Sequence, residues 1–108
     1  MGKMSRDKGA RVEREIVNCH KEEGIHAERY DARRGQFGAE RSYDIDVYWK
    51  GKDYPPLVGE IKARKSLPKW LVEYLGDNDF LVLRENGRQP LYVVPHNVWM
   101  RILKDGKA

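Results

Sequence analysis

Asp44, Asp46, Glu60 and Lys62 crowd into the stretch YDIDVYWKGKDYPPLVGEIK, residues 43–62. Side chains alternate between the two faces of a strand, so Asp44 and Asp46 share one face while Ile45, Val47 and Trp49 take the other. Glu60 and Lys62 likewise share a face of the following segment, opposite Gly59, Ile61 and Ala63. A carboxylate in E-x-K can bind a hard divalent cation through oxygen, and the adjacent ammonium can orient or polarise an attacking water. Mg²⁺ keeps several of its waters, so two or three protein oxygens suffice: Asp44 or Asp46, Glu60, and a backbone carbonyl such as that of Ile61. The ordinary alternative is a solvated charged face, or an aspartate paired across strands with Lys62. Two aspartates in an apolar and aromatic strand argue against a purely structural role, because Asp is disfavoured in strands and clustered carboxylates repel unless a cation neutralises them.

A further carboxylate comes from the N-terminal segment. On a helical wheel with Val12 at zero, the apolar stripe centres near ~30°, Glu13 falls near ~100° and Glu15 near ~300°. The wheel barely separates the two, but Val17 extends the apolar face past Glu13 and favours its burial beside a sheet. There Glu13 can reach a metal-bound water, or pair with Arg29 or Lys62.

The elements that must position these groups follow from local pattern. Residues 5–23 read as a helix, with Val12, Ile16 and Cys19 on one stripe and Gly24 as a stop. IHAERYDA (25–32) fits a strand, and RRGQFGAERS (33–42), with two glycines, three arginines and no periodicity, reads as a mobile loop. YDIDVYW is a second strand, KGKDYPP a turn, and LVGEIKA (57–63) a third strand. Ser66 is a natural N-cap for a helix carrying Leu67, Trp70, Leu71, Tyr74 and Leu75 and ending at Gly76. FLVLR and PLYVV flank Glu85-Asn86-Gly87-Arg88, a hairpin signal, with Pro90 outside the ladder. Asn97 would cap a last helix through Val98, Trp99, Ile102 and Leu103. The order α-β-β-β-α-β-β-α predicts an α/β fold with helices flanking a mixed sheet.

Length and composition set the frame. The 108 residues fit a single domain, residues 1–108, and 40% apolar residues suffice for one core. Cys19 is the sole cysteine, no Cys/His set has zinc spacing, and there is neither a signal-peptide pattern nor an apolar run long enough for a bilayer. A reducing, cytoplasmic location is expected, the host cytoplasm for a viral chain. The net charge is only +4, but cations cluster: Lys3, Arg6, Lys8, Arg11 and Arg14; Arg29, Arg33, Arg34 and Arg41; Lys62, Arg64, Lys65 and Lys69. Such clusters favour a polyanion, nucleic acid being the commonest, although any single group also serves solubility.

KGARVEREIV, a Gly/Arg loop, YDIDV and GEIKAR, in that order, resemble the PD-(D/E)xK nuclease superfamily. Within it the chain looks most like the small Holliday junction resolvases of archaea and their viruses and phages, over nearly its whole length. The resemblance places the family's helix glutamate on Glu13, its "PD" aspartate on Asp44, and its E-x-K pair on Glu60 and Lys62. Tyr43 stands where proline is usual, Asp46 is an additional aspartate, and the loop Arg33 to Gly38 has no serine to take over a family role.

The resemblance implies a restriction-endonuclease-like fold and a Mg²⁺- or Mn²⁺-dependent endodeoxyribonuclease of DNA recombination and repair. Asp44 and Glu60 would hold the metal with the Ile61 carbonyl, Asp46 being the alternative ligand. Lys62 would position or activate the water, and Glu13 would bind a second ion or orient a water. Arg11, Arg33, Arg34, Arg41, Arg64, Lys65 and Lys69 would grip phosphates, which fixes register without reading sequence. A four-way junction is nicked in two strands, so a homodimer is expected, with no small-molecule cofactor and no membrane partner. Trp70, Tyr74, Phe80, Tyr92 and Trp99 would supply a dimer surface, or else core. The alternatives are a nuclease of the same fold with another DNA target, nicking or restriction-like, and a non-catalytic DNA-binding module on that scaffold.

Overall fold

The computed structural model describes residues 2–29 and 44–106, with side chains from Lys8 onward. The elements run α1 (Gly2–Glu22), β1 (His26–Arg29), β2 (Ile45–Tyr48), β3 (Leu57–Gly59), α2 (Lys69–Leu75), β4 (Leu81–Leu83), β5 (Leu91–Val93) and α3 (His96–Asp105). The chain is therefore α/β, with three helices among the described residues. None of these helices is long and apolar enough to cross a membrane.

Helix α1 stops where Gly24 adopts φ +79°, a left-handed conformation that costs glycine nothing. The Ile25 amide then donates to the His20 carbonyl at 2.9 Å and the Gly24 amide to Lys21 at 3.0 Å. This is the Schellman arrangement, and it delivers Ile25 straight into the core.

Strands β1, β2 and β3 form one antiparallel sheet with β2 in the middle. Ala27, Ile45 and Val47 fall on one face and are buried with Val17 of α1 and Met100 and Leu103 of α3. His26, Glu28, Asp46 and Tyr48 alternate onto the other face, with His26 directly opposite Tyr48 and Glu28 directly opposite Asp46. Binary alternation thus decides which side of β2 is core and which side is polar.

Strands β4 and β5 pair antiparallel as a separate two-stranded sheet. The expectation of one mixed sheet is corrected on this point: among the described strands every pairing is antiparallel, in two sheets. The hairpin turn carries Gly87 at φ +79° while no non-glycine residue among the described ones has positive φ, and the Arg88 amide donates to Glu85 at 3.1 Å. That is the signature of a type II turn, in which only the third residue needs the left-handed region.

Three local expectations also change. The helix after Ser66 begins at Lys69, with Pro68 rather than Ser66 at the N-cap and no side-chain cap bond. Asn97 lies inside α3, whose N-cap is Pro95. On α3 the buried residues are Val98, Met100 and Leu103, whereas Ile102 is exposed. Apolar type at Ile102 promised burial, but the helix turns that position outward and uses the unbranched Met100 instead.

Besides the shared core, two polar contacts tie α3 to α1 and to Glu23 just after it. Buried His20 bonds the Ile16 carbonyl through Nδ1 at 2.7 Å and meets Trp99 Nε1 through Nε2 at 3.0 Å. Indole N–H can only donate, so Nε2 accepts and the proton resides on Nδ1, donating to Ile16. Trp99→Phe keeps an aromatic ring but strands the buried Nε2, which should cost about 1–3 kcal/mol in a urea titration. A loss under ~0.3 kcal/mol would show that water replaces the indole.

The second tie is exposed: Lys104 Nζ donates to Glu23 Oε2 at 2.8 Å. The hydrogen bond first, and the ammonium charge second, hold the Glu23 carboxyl below its usual 4.5, while Glu23 raises Lys104 above 10.5. Because the folded carboxyl is depressed, its stabilising contribution is present above pH 4.5 and is lost as pH falls through the folded value. Solvent screening keeps that contribution small. In a carbon-detected NMR titration, Lys104→Met should raise the Glu23 midpoint toward its usual value; an unmoved midpoint would assign the shift to something other than Lys104.

Candidate active site

The ladder between β2 and β3 runs Val47↔Leu57, Asp46↔Val58 and Ile45↔Gly59, and ends there. Beyond that rung the Asp44 amide donates to the Gly59 carbonyl at 2.7 Å, and the Asp44 carboxylate accepts the Ile61 amide through Oδ2 at 2.7 Å. A side-chain oxygen thus takes the amide that a continuing ladder would have given to a backbone carbonyl. Strand β3 stops at Gly59, so the expectation that Glu60 and Lys62 lie on a strand through Ala63 is corrected. Their alternation survives the end of the ladder: Ile61 and Ala63 are half-buried, with Ile61 packed on the core, and Glu60 and Lys62 are exposed.

Three of the expected residues therefore gather at this end of the sheet. Asp44 is anchored on Ile61, and the flanking Glu60 and Lys62 form an ion pair, Nζ to Oε1, at 3.1 Å. Asp44 spends one carboxylate oxygen on the Ile61 amide and Glu60 one on Lys62, which leaves each a second oxygen for a further partner. These are hard donors of the kind Mg²⁺ and Mn²⁺ prefer, and the peptide at Ile61 adds a carbonyl next door, so the residues present fit such an ion. Among the described residues no three His, Cys, Asp or Glu side chains form a metal cage by themselves. A Mg²⁺ site that keeps most of its waters does not need one.

Asp46 has a different address. It lies one strand repeat from Asp44, opposite Glu28 on one side and Val58 on the other, over the middle of the sheet. It is the Asp44 side chain that accepts a hydrogen bond from the E-x-K segment.

Glu13 is brought to the sheet by α1, where its Oε1 receives the Arg29 Nε at 3.1 Å. Of the partners open to it in sequence, Arg29 is the one found. Arg29 pairs across with Ile45, which pairs with Gly59, so Glu13 sits at the same end of the sheet as Asp44. Arg29 alternates with Ala27 toward α1, so Glu13 and Arg29 share the end of the sheet with Asp44 but lie on the helix side of it.

Around this end the cations are in the open. Arg11 is exposed on α1, and Lys62, Arg64, Lys65 and Lys69 are exposed on residues 62–69, a run with no acidic residue. Lys69 makes a long, exposed pair with Glu73 at 3.8 Å, worth little in water. Arg33, Arg34 and Arg41, with the expected loop 33–42, lie outside the described residues. Of the aromatic set, Trp70, Tyr74, Phe80 and Tyr92 are exposed, and Trp99 is held inward by His20.

Compared with protein-family models, curated proteins and solved structures, the chain matches none of them.

Proposed function

We propose that this chain is a metal-dependent endodeoxyribonuclease that resolves four-way DNA junctions by paired symmetric nicks, working as a homodimer on a restriction-endonuclease-like scaffold. One observation carries the reading: Asp44 is clasped to Ile61 between Glu60 and Lys62, at the end of a sheet bordered by exposed cations. A structural ion pair alone would not need a second carboxylate fixed by a backbone amide at the same spot.

Asp44 and Glu60, with the Ile61 carbonyl, would hold Mg²⁺ or Mn²⁺. When bound, such an ion lowers the pKa of water and stabilises negative charge gathering on phosphorus. Lys62, paired with Glu60, has ammonium protons left and would orient the attacking water against the phosphate. Glu13, steered by Arg29, would order a second water or ion from the helix side. Arg11, Arg64, Lys65 and Lys69, with Arg33, Arg34 and Arg41, would bind phosphates by charge, a mode that suits selection by branched shape.

The test is substrate choice. Given Mg²⁺, the protein should cut a synthetic four-way junction at least ~10-fold faster than a matched linear duplex or a splayed arm. Equal cutting of all three would overturn the junction assignment and leave a nuclease with another target. Binding without cutting of any of them would point to a non-catalytic DNA-binding module.

A further inference from the structure

Trp49 and Trp99 pack against the core, whereas Trp70, at the start of α2, is 47% exposed. Indole is the largest apolar side chain and carries a flat π face, so leaving it in water forfeits much burial. The β4–β5 hairpin lies beside it. Pairing Leu83↔Leu91 puts these two on one hairpin face, and Val82↔Tyr92 takes the other. Leu83, Leu91 and Trp70 line one groove of about 580 Å³, in which Leu91 is 68% exposed. The indole and the leucines therefore do not close on one another. A groove of this volume accepts a group of small-molecule size.

The polar lining says what fits. Arg84 and Arg88 stand against a single carboxylate, Glu85, a net +1 for the groove. Glu85 is already taken by Arg88, Nε to Oε2 at 3.0 Å, so Arg84 carries the excess charge. Gln89 adds an amide that can both donate to and accept from the edge of a base. An aromatic platform with an arginine at its side is how proteins hold unpaired nucleotides, the base on the ring and the phosphate on the cation. An apolar ligand would leave Arg84 unused, and an acidic peptide would leave the indole face unused. Paired DNA offers no free face, because each base is stacked on both sides.

The sequence also leads a polyanion to this groove. Lys62, at the candidate active site, begins a run of four cations with no acidic residue, and the run ends at Lys69, directly before Trp70.

We propose that the groove between Trp70 and the Leu83–Leu91 pair holds an unpaired stretch of DNA, one base stacked on the Trp70 indole and the adjoining phosphate on Arg84. The choice of DNA over RNA rests on the proposed function; the stacking site itself does not need cleavage. Single-strand binding by a chain that cuts nothing would leave the groove standing and sink the proposed function. A chain that cuts junctions but binds single strands equally well without Trp70 would do the reverse.

The test is anisotropy of labelled ~12-nucleotide oligo(dT) and of a duplex of the same length, with the full chain in EDTA to hold cleavage off. Trp70→Ala should weaken single-strand binding roughly 10–100-fold, the worth of one stacked base, and duplex binding less than ~2-fold. Trp70→Phe, which keeps a π face, should stay within ~5-fold of the unaltered chain. Arg84→Ala should lower the salt slope for the single strand by about 0.7. Unchanged single-strand binding by Trp70→Ala, an equal loss on duplex, or an unchanged slope in Arg84→Ala overturns the proposal. So does tighter binding of oligo(U) than of oligo(dT). Should Trp70→Ala lose its circular dichroism, the unaltered chain decides by NMR. Its Trp70 indole N–H peak should move with added oligo(dT), while that of Trp99, bonded to His20, stays. A Trp70 peak that ignores DNA overturns the site, and one that moves only with protein concentration gives the groove to a second copy instead.

Discussion

Asp44→Asn is expected to lower junction cleavage by at least ~10³-fold while leaving the Kd for the junction within about threefold. The substitution is informative because of the Ile61 amide. Asparagine keeps a carbonyl oxygen that can accept that hydrogen bond, so the end of the β2–β3 ladder is preserved and only the charge is removed. A metal-assisted phosphodiester cleavage relies on that charge for several kcal/mol of transition-state stabilisation, and each 1.36 kcal/mol is a factor of about ten in rate. On the proposed function binding would rest on the cations of 62–69 and on phosphate contacts, and loss of a nearby carboxylate would not weaken it electrostatically. Glu60→Ala should behave alike. Asp46→Asn should stay active, because Asp46 lies over the sheet between Glu28 and Val58 rather than beside Ile61. A dead Asp46→Asn beside an active Asp44→Asn would reverse the ligand assignment.

The largest expected loss of stability is at Ile25. It is 0% exposed and enters the core directly from the Schellman turn that ends α1. It belongs to the cluster that α1, β1, β2 and α3 share, so no single element can move in to fill a void there. Ile25→Ala removes apolar transfer energy and leaves a cavity, together about 2–5 kcal/mol. Domains of this size are stable by only about 5–15 kcal/mol, so the melting temperature should fall by roughly 10–25 °C. Val82→Ala, on the exposed hairpin face, serves as the contrast in dilute protein, at under ~1 kcal/mol. A small effect at Ile25 would mean that the sheet and helices do not share one core.

Local pattern made much of this fold legible. The apolar stripe of α1, the Gly24 stop, the alternation of β2 and the Glu85–Arg88 turn all depend on neighbours in sequence, and each element is found where its pattern lies. Long-range choices were not legible. Nothing in LVGEIKA says that Asp44 will cap the Ile61 amide and end β3 at Gly59, because that bond joins residues of two strands. The split into two sheets depends on which strands meet, and strand propensity does not encode partners. Nothing in the residues next to His20 tells that it is buried, and only its approach to Trp99 reveals a satisfied imidazole.

The candidate site shows the same division. Residue types and spacing singled out Asp44, Glu60 and Lys62, and left Asp44 and Asp46 equivalent by parity alone. Register separates them, since one faces Ile61 and the other faces Glu28 across the sheet. Glu13 was open to several partners, and the placement of Arg29 on the α1 side of β1 selects one.

The most direct measurement of the central claim is end-mapped cleavage of a four-way junction by the unaltered protein, with Mg²⁺ and, in parallel, with EDTA. The account predicts two nicks at symmetry-related positions on opposing strands with Mg²⁺, and an intact junction with EDTA. A junction that stays intact with Mg²⁺ and with Mn²⁺, or that is cut equally in EDTA, would contradict it.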